Sequence, residues 1–366
     1  MDRLLLKPIL VLMTAWLLLL SACQSPKDNP AGAPPAPTTT APQAISSNIC
    51  SFNIQFLGLS KIRRNQDLAK LLHDQNCSMV FIQEIVAPPD LRELPGNSLF
   101  QSPELPRFPQ TQNPWRPSPD VTAFFREMIQ VGFDGYWISE QDTGLSEKNE
   151  NNGSATEWWV VFYRTSEWSK AKDLPWGFLE TDVTANPNYD RVPFAFGFRH
   201  VSNNFDFVGI NVHLRPGDSK DAKARRHHEI SNIYQWIEIQ KEKISERDYL
   251  VLGDFNIEDN EELQVHLNIS PQGQAWKSLN TEAKFMTNTN VRSPKPYDHV
   301  FLFPDQTKEV APIENFQVIS LIEQTKNLWT LNSVFPGAPY DHTQFRMSYS
   351  DHHPVLFKAN FERDDD

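Results

Sequence analysis

The stretch YLVLGDFN occupies residues 249–256 and decides how the rest of the chain is interpreted. It begins with a short apolar run, Tyr249 to Leu252, which is typical of a buried β-strand. Gly253 follows, and a glycine lets a neighbouring backbone approach closely. Asp254 and Asn256 lie two apart, so in an extended chain they point the same way. The stretch predicts a strand that presents two polar groups to a metal ion or an attacking water.

Short apolar runs of the same kind recur along the chain and are rich in Val, Ile and Phe, which favour β-strands. The predicted strands are Ile49 to Leu57, Met79 to Ile85, Trp158 to Tyr163, Phe194 to Phe198, Phe205 to Val212, Tyr249 to Leu252 and His299 to Phe303. Helices are predicted over Asp67 to His73 and Asp221 to Gln240, the second from apolar residues at helical spacing. This alternation predicts one domain of sheets stacked face to face with helices outside.

The N-terminal residues predict export and lipidation. An apolar stretch from Ile9 to Leu20 follows Arg3 and Lys7 and is too short to span a bilayer, as in signal peptides. It ends in LSAC at residues 20–23, which resembles a lipobox. We expect residues 1–22 to be a lipoprotein signal peptide and Cys23 to be lipidated, which anchors the protein in the cell envelope, on the outer-membrane, periplasmic or surface side. An ordinary secretory signal with an incidental cysteine is the alternative.

Composition divides the remaining chain. Residues 23–44 are rich in Pro, Ala and Thr and have almost no large apolar side chain, so they predict an extended tether. Residues 45–361 are predicted to fold, and residues 362–366 form an acidic tail. Within the folded part, the proline-rich stretch Pro95 to Pro119 predicts a long irregular loop, either near the functional site or as exposed decoration.

The cysteines predict one disulfide. If Cys23 is lipidated, Cys50 and Cys77 remain as an even pair in an exported and oxidising compartment. Each lies at the start of a predicted strand, and one helical crossover joins the two strands, which makes them candidates for parallel pairing. We therefore predict a bridge between Cys50 and Cys77, with two free buried thiols as the alternative.

The formal net charge of −12 argues against a protein that holds nucleic acid by broad electrostatic attraction. An acidic enzyme can still act on phosphates, because its carboxylates bind metal ions that supply positive charge. Two basic clusters follow predicted strands. Contact with substrate phosphates and simple exposure to solvent are equally good interpretations of both. They are Lys61, Arg63 and Arg64, and Lys220, Lys223, Arg225 and Arg226.

Polar residues also lie at the ends of the predicted strands. They are Asn53 and Gln55, Glu84, His213, the run Tyr297-Asp298-His299, and the run Ser350 to Val355. A carboxylate on a rigid strand can hold Mg²⁺, and an Asp can orient a His that acts as general acid or base. The ionisable run Asp351, His352 and His353 before an apolar strand is costly to bury without a purpose. These residues predict metal-assisted acid–base chemistry.

Six motifs follow one another in a fixed order: FNIQ (52–55), IQE (82–84), NVHL (211–214), GDFN (253–256), YDH (297–299) and SDHHPV (350–355). Together they resemble the motif series of the endonuclease/exonuclease/phosphatase superfamily, over practically the whole folded part. The details look most like the deoxyribonuclease I branch, through Gly58, through Glu157 in EWWVVFYR, and through Arg191-Val192-Pro193. The resemblance implies an α+β fold, a four-layered α/β/β/α sandwich whose two central, mostly antiparallel sheets are flanked by helices.

The same resemblance implies roles for individual residues. Asn53, Glu84 and Asp351 would bind Mg²⁺, or Mn²⁺ or Ca²⁺ in its place. Glu157 would orient His213, and Asp298 would orient His352. Asp254 and Asn256 would complete the metal and phosphate site, while Arg191 and Tyr297 would contact the substrate. The implied reaction is hydrolysis of a phosphodiester by in-line attack of water, with one histidine as base and the other as acid.

Nucleic acid is the substrate that this resemblance predicts, and no protein partner is predicted. Two departures count against duplex DNA but not against the chemistry: Gln55 stands where that branch tends to have Arg, and no Arg follows Glu84. The alternatives are a phospholipid or sphingomyelin phosphodiesterase, a phosphomonoesterase, and a catalytically silent surface binding module.

Overall fold

The structure is a computed structural model that describes residues 45–60, 62–94, 116–144, 156–183, 186–269, 276–310, 316–331 and 340–361. The predicted signal peptide, tether and acidic tail lie outside these residues, as do Lys61 and residues 95–115 of the proline-rich stretch. Within the described part of the chain, no helix is long and apolar enough to cross a membrane.

Six strands form the first sheet, numbered here along the chain. Across the sheet their order is β12 (Gln317–Val318), β13 (Val355–Phe361), β1 (Ile45–Leu57), β2 (Cys77–Ile85), β4 (Trp158–Tyr163) and β3 (Gly135–Ile138). Strands β1 and β2 are parallel, and the other neighbours are antiparallel.

Seven strands form the second sheet. Their order is β10 (Lys277–Ser278), β11 (Asp298–Leu302), β9 (Tyr249–Asp254), β8 (Asp206–His213), β7 (Phe194–His200) and β5 (Trp168–Lys170), and β6 (Gly177–Phe178) also pairs with β7. Only β8 and β9 are parallel among the described strands of this sheet.

Six α-helices are described: α1 (Asn65–Asp74), α2 (Pro119–Gln130), α3 (Lys220–Lys241), α4 (Asn260–Leu267), α5 (Leu321–Leu331) and α6 (His342–Ser348). Leu72 of α1 and Phe124 of α2 belong to one apolar cluster with Ile82 of the first sheet. Ile233 of α3 belongs to another, with Ile210 of the second sheet. Helices therefore cover the outer faces of both sheets, and the predicted four-layered sandwich is confirmed.

The inner faces of the two sheets share an aromatic core. On β2, Phe81 faces the second sheet, where it meets Phe196 edge to face at 6.1 Å between ring centroids. Its neighbours Val80 and Ile82 belong to the cluster beneath α1 and α2, as the period of two of a strand requires. Gly209 on β8 faces the Phe81 ring, and a Cβ there would collide with it. Alternate residues of β2 therefore pack against the second sheet on one face and against α1 and α2 on the other.

The predicted strands and both predicted helices are present, with ends that differ by a few residues. Pro119, the last residue of the predicted proline-rich loop, is the first residue of α2. The strands left unpredicted are short, such as β6 and β12 of two residues each, and such segments carry too little periodicity to detect.

Cys50 and Cys77 lie on the parallel strands β1 and β2, which α1 connects as predicted. Their Cα atoms are 5.9 Å apart, within the usual range for a disulfide, and the structure joins the two sulfurs. Both cysteines are buried in the cluster between the first sheet and its helices. The bridge therefore ties together the two strands that lead to the candidate site.

Candidate active site

Both sheets bring their predicted polar residues to one edge. Strands β1, β2, β8 and β9 carry Asn53, Glu84, His213 and Asp254 near their carboxyl ends, while Asp298 starts β11 and His352 precedes β13. In each sheet two parallel strands end at this edge, and an antiparallel neighbour starts there. A hydrogen bond of 2.9 Å from Asn53 Nδ2 to Asp254 Oδ2 joins the two edges. The fold therefore gathers six of the predicted site residues.

Asp254 lies at the centre of this group and is buried. Its Oδ2 accepts a hydrogen bond from Asn53 and lies 3.5 Å from His213 Nε2 and 3.4 Å from His352 Nε2. Its Oδ1 accepts the Asn256 N–H at 2.8 Å. Asn53 Nδ2 also donates to Glu84 Oε1 at 2.9 Å. One carboxylate thus contacts both histidines.

Each histidine is held from behind by a second carboxylate. His213 Nδ1 lies 2.8 Å from Glu157 Oε1, and we call this pair the first dyad. His352 Nδ1 lies 2.8 Å from Asp298 Oδ2, which is the second dyad. A carboxylate on Nδ1 fixes the ring so that Nε2 faces the site. Both rings therefore direct Nε2 at Asp254, the arrangement that acid–base chemistry at one centre requires.

The predicted substrate residues take different positions. Arg191 is buried, and its Nε lies 2.6 Å from Glu157 Oε1, so in this structure it supports the first dyad. The half-buried Tyr297 ring lies 5.7 Å from the His352 ring between centroids, tilted by 35°. Their contacts with a substrate stay predictions.

Burial and charge together set the protonation of the site. Burial raises the pKa of Glu84, with His213 opposing it, and burial likewise raises the pKa of Asp298 against the effect of His352. Burial lowers the pKa of His352, but the charges of Asp298 and Asp254 outweigh it and hold that pKa well above its usual value. The site therefore holds more buried carboxyl groups than positive charges that can stabilise their ionised forms.

The donor groups fit a divalent cation. Ligand atoms of Glu84, His213 and Asp254 lie within 4.8 Å of one another, and so do those of Asp254, Asp298 and His352. Carboxylate oxygens are the ligands that Mg²⁺, Mn²⁺ and Ca²⁺ prefer, so Glu84 and Asp254 suit such an ion. A cation there would relieve the crowding of negative charge in this buried site.

Asn53 and Asp351, the other two predicted metal ligands, each have a side-chain oxygen that already accepts a hydrogen bond within the protein. Asn53 turns its Nδ2 to the two carboxylates, while its Oδ1 accepts the Gln55 N–H at 2.9 Å. Asp351 Oδ2 accepts from Gln55 Nε2 at 2.8 Å, and its buried Oδ1 has no hydrogen-bond partner within the described residues. Metal binding by either residue stays a prediction.

The backbone bends where the strands deliver these groups. Gln55, Phe56, Glu84 and Asn256 have φ values of 53°, 51°, 62° and 53°, in the left-handed region that non-glycine residues rarely adopt. Such strain costs about 1–3 kcal/mol per residue and clusters at functional sites. Because the extended chain ends at Asp254, the predicted alignment of Asp254 and Asn256 on one strand face is wrong. Instead, Asn256 Nδ2 donates to Leu214 O at 3.1 Å.

Gly253 does what the sequence predicts. Its φ is 139°, and a Cβ on it would collide with the Val212 carbonyl oxygen on β8. The glycine therefore lets β9 approach β8 closely just before Asp254, and it places Asp254 opposite His213 in the parallel register.

Several supporting residues were missed by sequence reasoning. Gln83 Nε2 donates to Asn211 Oδ1 at 2.6 Å, which links the sheets behind the site, and both residues lie within quoted motifs. Glu229 of α3 is fully buried and accepts the N–H groups of Asp190 and Arg215, both at 2.9 Å. Nothing in the sequence pattern singled out Glu229, because its two partners are backbone groups of distant loops.

The basic clusters are mostly engaged within the molecule. Arg226 is fully buried and pairs with Glu262 at 2.6 Å, so its interpretation as a phosphate contact or as solvated surface is wrong. Arg225 pairs with Asp190, and Lys223 lies 3.4 Å from Asp259. Arg63 donates to the carbonyl oxygens of Gln55 and Tyr349. These contacts stabilise the loops around the site.

Comparisons with known proteins bear on the fold. No family model and no curated protein matches the sequence. An endonuclease/exonuclease/phosphatase family protein from Leptotrichia buccalis is similar in structure, with a TM-score of 0.51 at 11% identity over 86% of this chain and 100% of that one. A protein of the same family from Bacteroides thetaiotaomicron has a TM-score of 0.48 at 17% identity, over 87% and 99%. The human Nocturnin catalytic domain has 0.49 at 12%, over 86% and 94%. At 11% identity, the likeness to the Leptotrichia buccalis protein shows a shared fold.

Proposed function

We propose that the protein is a divalent-metal-dependent phosphoester hydrolase of the endonuclease/exonuclease/phosphatase superfamily, and that it acts on phosphodiesters. The observation that carries this proposal is the Asp254 carboxylate, which contacts the Nε2 atoms of both dyads. Glu84 lies beside it, joined through Asn53. Two oriented histidines around one oxygen-rich cation site suit hydrolysis of a phosphate ester.

The chain's residues would divide the reaction as follows. Glu84 and Asp254 would hold the cation, which would stabilise the negative charge that develops on the phosphate. One histidine Nε2 takes a proton from water as the water oxygen bonds to phosphorus. The other Nε2 gives a proton to the leaving oxygen as its bond to phosphorus breaks. The Nδ1 contacts with Glu157 and Asp298 keep both rings in position for these transfers.

Nucleic acid is the substrate that the sequence resemblance predicts, and it remains a proposal. The net charge of −12 supports brief contact with phosphates over broad electrostatic binding. Gln55 donates to Asp351, so its side chain is engaged within the site at the position where the nuclease branch tends to have an arginine. This departure counts against duplex DNA as the substrate.

We further propose that the protein works at the cell envelope, attached through lipidated Cys23. The sequence LSAC after a short apolar core supports this location. A Cys23→Ser variant should move from the membrane fraction to the soluble fraction of lysed cells. Equal membrane retention of both forms would contradict lipidation at Cys23.

A substrate panel tests the activity itself. It comprises plasmid DNA, single-stranded DNA, RNA, sphingomyelin and inositol phosphates, each with Mg²⁺, Mn²⁺ or EDTA. We expect hydrolysis of at least one diester, its loss in EDTA, and a loss of about 10²-fold or more in Glu84→Gln. Glu323→Gln, on the surface of α5, is the matched control. The proposal fails if nothing in the panel is cleaved, or if Glu84→Gln matches the wild type.

A further inference from the structure

A pocket opens beside the candidate active site, between the end of β1 and α6. Its volume is about 310 Å³. Its apolar lining is Phe56, Leu59, Ile62 and Met347, and its polar lining is Gln55, Ser60, Arg63 and Arg346. Neither the sequence motifs nor the proposed mechanism assigns it a role.

The pocket is lined by apolar side chains that water can reach. Leu59 is 63% exposed, and Ile62 and Met347 are each 46% exposed. Single exposed apolar residues are common on protein surfaces, whereas three that line one pocket with a polar border form a surface that one apolar group can cover. Covering them with an apolar group would remove their surface from water and so stabilise a complex.

The pocket is continuous with the site. Gln55 lines it and also donates to Asp351 Oδ2 at 2.8 Å. Phe56 lines it while its N–H donates to Glu84 Oε2 at 3.0 Å. A phosphate held near Glu84 would therefore direct one of its ester substituents towards Leu59, Ile62 and Met347.

The positively charged side chain of Arg346 lies between the pocket and the candidate active site. Arg346 is 44% exposed in its side chain, and its Nη1 lies 3.9 Å from Asp351 Oδ2. The neighbouring Arg63 donates to the Gln55 and Tyr349 carbonyl oxygens and so holds the pocket wall. Arg346 is thus placed to contact a phosphate while the pocket contacts its apolar substituent.

We propose that this pocket binds an aliphatic chain of the substrate, so that the site acts on a phosphoester of an alkyl or acyl-bearing alcohol, as in lipids. The inference rests on the proposed function for the phosphate-binding half of the site. A nucleobase is the less suitable occupant, because surfaces for bases stack them on aromatic side chains. The aromatic side chain in this lining, Phe56, is half-buried, and the exposed lining is Leu59, Ile62 and Met347.

Binding of phosphonates tests this independently of turnover. Methylphosphonate, hexylphosphonate and thymidine monophosphate are titrated calorimetrically into the full chain with Mg²⁺. Each buried methylene contributes about fourfold in affinity, so partial burial of the hexyl chain should give at least about tenfold tighter binding than methylphosphonate. In Leu59→Asn/Met347→Gln this ratio should fall towards one. Arg346→Gln should weaken both phosphonates to a similar degree and preserve the ratio.

Val201→Asn is the matched control, since Val201 is 53% exposed in the turn before β8, at the opposite end of that strand from His213. The inference is overturned if wild type binds the two phosphonates equally or not at all, or if Val201→Asn changes the ratio as much as the pocket variant. It is also overturned if thymidine monophosphate binds more tightly than hexylphosphonate and the pocket variant removes that gain. If panel substrates are hydrolysed but hexylphosphonate does not bind more tightly than methylphosphonate, the proposed function stands and the pocket inference fails. If hexylphosphonate binds more tightly but no panel substrate is hydrolysed, the pocket inference stands and the proposed function fails.

Discussion

The first and second dyads contact the same Asp254 oxygen but differ in what lies behind them. In the first, Glu157 shares its charge between His213 and the buried guanidinium of Arg191. In the second dyad, Asp298 pairs with His352, and among the described residues of the chain no arginine or lysine forms an ion pair with Asp298. The two dyads therefore have similar geometry and different electrostatics.

The difference appears in the carboxylates. Burial raises the pKa of Glu157, but the charges of His213 and Arg191 outweigh it and leave that pKa below its usual value. The pKa of Asp298 is raised by burial, which His352 only partly offsets. Glu157 is thus stabilised as a carboxylate by two cations, whereas Asp298 depends on His352. The carboxylate of the first dyad is therefore held by a buried arginine as well as by its histidine, whereas the carboxylate of the second dyad is held mainly by its histidine.

Removing either histidine should have the largest effect. His213→Ala and His352→Ala should each lower kcat/KM by about 10²–10⁴-fold, because each removes a positioned proton-transfer group. Steady-state kinetics on the best substrate of the panel, with circular dichroism to confirm folding, measure this. If one variant stays within about tenfold of wild type while the other loses activity, the two histidines do not share the proton transfers.

Replacing the two carboxylates should separate the dyads by stability. Glu157→Gln removes the charge that pairs with buried Arg191, and breaking such a pair costs about 3–5 kcal/mol. Asp298→Asn has no such cation behind it and should cost less. Urea unfolding in EDTA gives both values. Equal losses would show that Arg191 does not distinguish the dyads.

Asp298→Asn should mainly change activity and its pH dependence. Burial lowers the pKa of His352 and the Asp298 charge raises it, so removing that charge lowers the pKa. The limb of the pH–rate profile that reports His352 should move to lower pH, with a loss of about tenfold or more at the optimum. The double variant with His352→Ala should be scarcely worse than His352→Ala alone. Losses that simply multiply would contradict the pairing.

Glu229 lies behind the first dyad, where it accepts N–H groups from the loop that carries Arg191 and from the loop that follows His213. Burial raises its pKa from 4.5 to about 7, so the folded state holds its proton more tightly than the unfolded state. The stability from this proton is complete below pH 4.5 and is lost as pH rises through about 7. The unfolding free energy of wild type relative to Glu229→Gln should therefore fall across that window. A constant difference would contradict a titrating Glu229.

Sequence predicted the layers and the strand ends because both follow from local patterns. The apolar run before Asp254 is visible in a few adjacent residues. Met79 to Ile82 are all apolar, so the sequence predicts the strand but not which sheet face each of these residues occupies. The pairing of His213 with Glu157 came from resemblance to a family, since the two are separated by 56 residues. Local patterns do not contain the partners of Glu229 or the exposure of Leu59, because both depend on how distant loops pack.

Binding of a divalent cation at Glu84 and Asp254, between the two dyads, is the step on which the proposed hydrolysis depends. Calorimetric titration of Mn²⁺ into metal-free protein tests it without any assumption about substrate. We predict saturable binding to wild type and to Glu323→Gln, weakened by at least about tenfold in Glu84→Gln, because even residues that merely support ligands are worth that much. Absence of Mn²⁺ binding, or equal affinity in wild type and Glu84→Gln, would contradict cation binding at Glu84 and Asp254.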